Sequence, residues 1–182
     1  MIIGITGTLG AGKGTIVEYL TKKGFKHYSS SGLIVEEIKN RDMPVNRDSM
    51  VIVGDDLREK FGPGYIPETL YERAKKEGGS SVIEALRAIG EIEALRAKGE
   101  CYIFSVDADP KIRYERIKKR AGSKDDVSYE TFLQNEEREM ANTEPFKMNL
   151  SACIKMADYA IDNSGTKEDM YDQVDRVLSK IN

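Results

Sequence analysis

Short apolar runs alternate along this chain with longer stretches whose apolar residues recur every three or four positions, the signature of strands interleaved with helices. Ile2, Ile3 and Ile5 predict an opening strand, and Ile16, Val17 and Leu20 a helix that stops at Lys22-Lys23-Gly24. Residues 25–28 predict a second short strand. Leu33, Ile34 and Ile38 then mark a helix whose start, Ser29-Ser30-Ser31-Gly32, offers hydroxyls to its unpaired N–H groups. A polar linker with Pro44 leads to a helix carrying Met50, Val51, Val53, Leu57 and Arg58. Residues 61–65 break it, 66–76 form another helix, and Gly78-Gly79 end that one. Residues 81–84 read as a short strand ending in an acid. Ile83, Leu86, Ile89, Ile92 and Leu95 also fit helical spacing, so one helix over 80–95 competes with it. Residues 101–106 form the clearest buried strand, followed by a helix with Asp109 as cap and Pro110 in its first position. A polar loop over 121–126, a helix carrying Arg138, a last strand over 157–161, a turn over 162–166 and an amphipathic closing helix capped by Thr166 complete the pattern. The helices of 30–78 thus read as an insertion between two strands.

The first strand and first helix enclose Gly7-Thr8-Leu9-Gly10-Ala11-Gly12-Lys13-Gly14-Thr15. Strand, glycine loop and helix in that order form a phosphate cradle: glycines allow left-handed turns that aim N–H groups inward, and the helix adds its positive end. Gly10, Ala11, Gly12, Lys13, Gly14 and Thr15 are therefore candidate nucleotide ligands. Lys13 supplies a mobile charge for the outer phosphates, and the Thr15 hydroxyl a contact for phosphate or hydrated magnesium. A strict Walker pattern has Ser or Thr directly after the lysine, whereas here Gly14 stands there and the threonine follows.

At 182 residues the chain suits one α/β domain, with 40% hydrophobic and 32% charged residues. A net charge of −3 argues against a nucleic-acid surface built on bulk charge, so an anion must be held by local clusters. Cys101 and Cys153 form no metal-ligand spacing and read as reduced packing residues. His27 reads as structural. The chain opens on strand residues without a leader pattern, and no apolar run approaches membrane-spanning length, so a cytoplasmic protein without membrane partners is expected.

Glu84 closes a strand where an acid would lie near magnesium and the γ-phosphate, and Arg87 follows three residues on, suited to a forked grip on an acceptor phosphate. Arg113, Arg116 and Arg120 share one helical face. Arg113, Lys118 and Lys119 read as solvated there. Arg58 and Arg73 likewise suit a solvated helical face, with Arg58 carried as an acceptor-binding candidate.

Gly-Lys-Gly-Thr, the Glu84 and Arg87 pair, Asp107-Ala108-Asp109-Pro110 with its arginine helix, and Asn163-Ser164-Gly165-Thr166 occur in an order that resembles the adenylate kinase-related, dephospho-coenzyme A kinase-like group of P-loop nucleoside monophosphate kinases. The resemblance implies a three-layer α/β P-loop kinase fold with a five-stranded parallel sheet flanked by helices. It divides a single domain into a core (1–29, 79–119, 146–182), an acceptor-binding insertion (30–78) and a short lid (120–145). It favours the strand reading of 81–84. Lys13, Arg87, Arg120 and Arg138 become catalytic candidates, the last two closing over the transferred group. Arg116 shares that lid expectation. Ser31, Arg58 and Arg87 would bind acceptor, Thr15 and Glu84 magnesium, and Asn163, Gly165 and Thr166 the ATP adenine. Ser31 and Gly32 are what remains of the family's Ser-Thr-Gly-Asp element, whose acid and following arginine are replaced, Val35 among the departures.

The implied reaction moves the γ-phosphoryl of Mg-ATP to a nucleoside or deoxynucleoside monophosphate, in a monomer or homodimer. A dephospho-coenzyme A kinase, whose family has an aspartate where this chain has Ser29 to Ser31, is one alternative. A nucleotide-dependent switch or assembly factor with incidental turnover is the other.

Overall fold

Apolar residues on both sides of the central strands decide the architecture. Successive residues of one strand point to opposite faces, and here both faces are buried: Val82 and Ile83 are each 0% exposed, as are Ile103 and Phe104. A strand buried on both faces needs helices above and below it. The computed structural model, which describes residues 1–120, 127–144 and 147–181, has that form.

Five strands, β1 (Ile2–Gly7), β2 (Lys26–Ser29), β3 (Ser81–Leu86), β4 (Cys101–Asp107) and β5 (Tyr159–Asp162), form one sheet in the order β2-β3-β1-β4-β5. Every pairing is parallel. The helices are α1 (Lys13–Lys22), α2 (Ser30–Asn40), α3 (Arg47–Phe61), α4 (Tyr65–Glu77), α5 (Ile89–Ala97), α6 (Pro110–Lys118), α7 (Tyr129–Met140), α8 (Leu150–Lys155) and α9 (Lys167–Ile181). On one face Ile3, Ile5, Val82, Phe104 and Val106 meet α1 and α9. On the other, Ile83, Leu86 and Ile103 meet α2, α3, α4, α5 and Cys153 of α8. The three-layer parallel fold expected from the sequence is the fold observed.

Several elements carry the caps their sequences advertise. Ser29 accepts from Gly32 N at 3.1 Å and Asp109 from Lys111 N at 2.8 Å, while Asn46, which the sequence reading left in a linker, caps α3 by accepting from Ser49 N at 2.9 Å. Thr166 and Asp169 cap α9 reciprocally, Asp169 N donating to Thr166 Oγ1 at 3.1 Å and Thr166 N to Asp169 Oδ2 at 3.0 Å. The competing helix over 80–95 gives way to β3 and α5, because Ile83 and Leu86 belong to the sheet while Ile92 and Leu95 belong to the helix packed on it. Helix α8, which the apolar pattern did not announce, is only six residues long. Helices α2, α3 and α4 fill the span between β2 and β3. The polar loop over 121–126 lies outside the described residues, as do 145–146.

β1 sits at the centre of the sheet, with β3 on one side and β4 on the other. The crevice beyond the carboxyl ends of these strands is where ligands bind in open parallel sheets.

Candidate active site

The loop leaving β1 turns back through glycines that no other residue could replace without movement. Gly12 has φ +97°, and a Cβ there would lie 2.1 Å from Asn163 Nδ2. That nitrogen donates to Ala11 O at 2.7 Å, so Asn163, buried at the end of β5, braces the loop from below. A Cβ added at Gly14, by contrast, would meet nothing within 4 Å, so the departure from the Walker pattern there is not a steric demand. Thr8 Oγ1 donates to Asp107 Oδ1 at 2.5 Å, tying the loop to β4.

Lys13 begins α1, and its ammonium donates to the carbonyls of Gly7 at 2.7 Å and Thr8 at 2.8 Å. Loss of solvent, with Arg87 adding to it, lowers its pKa to about 7, although Glu84 and Glu139 pull the other way. The lysine curls over its own loop and partly satisfies itself there.

Glu84 stands near the end of β3, as the sequence predicts. Burial works against its charge, but His27, Ser29 and Lys13 outweigh burial and bring its pKa below the ordinary carboxylate value. Ser29 Oγ donates to it at 2.7 Å and His27 Nε2 lies 3.7 Å away. The next residue, Ala85, has φ +71°, and the pairing of β1 with β3 slips there, Ile5 facing Glu84 and Thr6 facing Leu86. This bulge turns the strand end at the point where its acid and arginine emerge.

A cavity of about 500 Å³ joins these groups. It is lined by Gly10, Gly12, Lys13, Gly14 and Thr15 from the loop, and by Glu84, Arg87 and Arg120. Ser31, Arg47 and Arg58 border it from the inserted helices, and Ile34, Met50, Val51 and Met148 give it an apolar wall.

Other expected residues lie differently. Arg138 lines a neighbouring cavity with Asn135, Asn142 and Lys147, beside Arg47 and Glu139. Asn163, Gly165 and Thr166 are not among the lining of the main cavity. Arg116 is not either, and its Nη1 is buried without a hydrogen-bond partner among the described residues. Arg58 is 3% exposed, and its Nε donates to Glu91 Oε1 at 2.9 Å, which places it inside the structure rather than on a solvated face. Glu91 also accepts from the backbone N–H groups of Arg87, at 2.6 Å, and Ala88, at 3.1 Å, so this pair fixes the Arg87 backbone.

Arg113 corrects its expectation outright. It is 2% exposed, donates through Nε to Ala108 O at 2.8 Å and through Nη1 to Leu9 O at 3.2 Å, and grips Glu136 with both terminal nitrogens, Nη2 lying 3.0 Å from Oε1. Its helical face turns inward onto the phosphate loop because α7 supplies the carboxylate. The sequence reading also missed Arg47 and Glu139. The buried Glu139 carboxylate pairs with Arg47 through one oxygen and with Arg87 through the other. Glu136 and Glu139, three apart on one helix, were the available signal.

Neither cysteine lines the main cavity, and burial pushes the Cys153 thiol up to about 12 and the Cys101 thiol to about 11. Among the described residues no group of three or more His, Cys, Asp or Glu forms a metal cage, and no helix is long and apolar enough to cross a membrane.

Residues 3–142 match the AAA_18 family, described as an AAA domain. A UPF0200 protein of Pyrococcus horikoshii is 28% identical over 187 residues, covering 100% of this chain and 97% of that protein. The crystal structure of TT1252 from Thermus thermophilus covers 100% of this chain and 98% of its own, with TM-score 0.67 and 20% identity. Shikimate kinase from Aquifex aeolicus covers 99% and 97%, with TM-score 0.55 and 16% identity. The family match runs from β1 to the end of α7 and takes in both the phosphate loop and the glutamates that face it: this chain belongs to the AAA_18 family, on the fold of the P-loop kinases.

Proposed function

We propose that this protein transfers the γ-phosphoryl group of Mg-ATP to a nucleoside or deoxynucleoside monophosphate. The observation that carries the reading is the shared cavity onto which the phosphate loop, Glu84, and the arginines Arg47, Arg87 and Arg120 all open. Donor phosphates on the loop and an acceptor anion on the arginines would face each other across it. Lys13 would leave its own carbonyls for the outer phosphates, and Arg87 would hold the acceptor. Arg120 would neutralise charge on the moving group, with Arg138 approaching it only on closure.

The carboxylates support this acceptor class. A hydroxyl acceptor asks for a base, whereas the lowered pKa of Glu84 makes it a weak one already engaged by Ser29, and Glu139 is engaged by two guanidinium groups. A phosphate acceptor is already an anion, so positioning and charge neutralisation suffice. Dephospho-coenzyme A is correspondingly less favoured. Ile34, Met50, Val51 and Met148 provide apolar surface for a base, and Ser31 a polar contact beside it.

Magnesium suits the site, since this ion takes few protein ligands and completes its shell with phosphates and water. Thr15 and the ionised Glu84 would hold it, and when bound it supplies neutralising charge to the donor phosphates. For Asn163, Gly165 and Thr166 the adenine role stands as part of this proposal, Asn163 acting through its backbone while its side chain braces Ala11.

The experiment is ADP release from Mg-ATP with a panel of ribo- and deoxynucleoside monophosphates and dephospho-coenzyme A, each against a no-acceptor control. Stimulation by one monophosphate establishes the reading and names the substrate. ATP binding without stimulation by any acceptor turns it toward a nucleotide-dependent switch.

A further inference from the structure

Ser29 stands where the sheet hands the chain over to the inserted helices. It is the last residue of β2 and the cap of α2, and in the parallel pairing of β2 with β3 its register partner is Glu84. One hydroxyl serves two partners there. Ser29 Oγ accepts from Gly32 N at 3.1 Å and donates to Glu84 Oε1 at 2.7 Å. A hydroxyl has a single proton, so one that the helix holds as an acceptor keeps that proton for the carboxylate. His27 Nε2 faces the same oxygen, Oε1, at 3.7 Å. Both contacts thus fall on Oε1 and leave Oε2 for the cavity, which Glu84 lines together with Thr15. A glutamate has three rotatable side-chain bonds, and fixing them costs entropy. Among the described residues, Ser29 gives the hydrogen bond that selects one orientation for this carboxylate.

We propose that Ser29 is the positioning residue of Glu84, its hydroxyl holding one carboxylate oxygen so that the other is presented to magnesium. The inference rests on the magnesium role given to Glu84 in the phosphotransfer reading. Ser29 is not among the residues that line the cavity, so it acts through Glu84. A glutamate free to rotate would still attract the ion, but it would have to be ordered each time the ion arrived. Ser29 does that ordering beforehand, as the outer partners of metal ligands do. The same hydroxyl caps α2, the helix that carries Ser31 and Ile34 along the cavity wall, so the aim of the carboxylate follows the seat of that helix. The serine-rich turn therefore does more than begin a helix: it joins the inserted helices to the acid at the end of β3.

ADP is the probe, titrated by calorimetry into the full-length chain with and without magnesium, and the ratio of the two affinities measures the grip on the ion. Glu84→Gln should reduce that ratio. Ser29→Ala should reduce it about tenfold in the wild-type background and leave it unchanged in the Glu84→Gln background. Ser29→Gly, which a cap position tolerates, repeats the measurement with α2 undisturbed. Ser29→Thr keeps the hydroxyl and should hold the wild-type ratio; a threonine as weak as alanine overturns the inference. A loss of equal size in both backgrounds marks a residue that merely seats α2 and overturns it too, as does an unchanged ratio in Ser29→Ala and Ser29→Gly. An unchanged ratio in Glu84→Gln overturns it by taking the ion away from Glu84. Coupling of Ser29 to Glu84 in a protein that phosphorylates no monophosphate keeps the inference and discards the phosphotransfer reading, and monophosphate turnover without that coupling does the reverse.

Discussion

Lys13 illustrates how a single buried charge ties stability to pH. Its pKa of about 7 lies below the ordinary 10.5, so between those values the unfolded chain binds more protons than the folded one, and folded stability rises with pH. The nucleotide-free protein should therefore gain stability from pH 7 to about 8.5, below the range where thiols of the unfolded chain ionise. Denaturant melts should show this rise in the wild type and lack it in Lys13→Met. Anionic phosphates reverse the balance by favouring the ammonium, so binding ADP at pH 8 should take up a proton. Calorimetry in buffers of different ionisation enthalpy reads that uptake, and a buffer-independent heat would refute it. The glycines make a sharper pair. Gly12→Ala places a side chain against Asn163 at a left-handed position and should abolish nucleotide binding, whereas Gly14→Ala meets open space near the start of α1 and should stabilise the fold by about 0.5–1 kcal/mol. The glycine spacing was legible in the sequence. That Asn163, 152 positions from its partner Ala11, stands under one of those glycines was not, because no local pattern encodes so distant a neighbour.

Among the elements, arginines on helices proved hardest to read. Spacing of three and four tells which arginines share a face, and nothing about which way the face turns. Arg113 points inward because Leu9 O and Glu136 wait there, and Arg58 because Glu91 does. The strands were easier, except β3, whose apolar spacing also fitted a helix over 80–95, and caps were easier still, being local. The buried Arg58 and Glu91 pair fixes α3 against the start of α5. Truncating one partner strands the other charge, so Arg58→Ala should cost about 3–5 kcal/mol in urea unfolding. A loss confined to acceptor affinity, with stability unchanged, would show instead that ligand binding is this arginine's main task. The bulge in β3 makes a second case. Ala85 already occupies the left-handed region, and a β-branched side chain tolerates it far less, so Ala85→Val should destabilise by about 1–3 kcal/mol in the same assay.

Across the whole molecule, chain order and spatial order disagree. β1, made first, lies in the middle of the sheet and gains its hydrogen-bonded neighbours only from residues 81–86 and 101–107. Pairing over such separations makes folding slow and leaves intermediates, since loop closure must precede any reward. The phosphate loop waits longer still, for its braces come from Asp107, Arg113 and finally Asn163. During synthesis, then, the nascent chain passes through a long interval in which its first strand is unpaired and open to capture by chaperones or by other chains. The loop has its full set of braces only after β5 has joined the sheet. Once it has, nucleotide binding drains the unfolded population by mass action. A nucleotide held on this loop would then mark a chain whose sheet is complete.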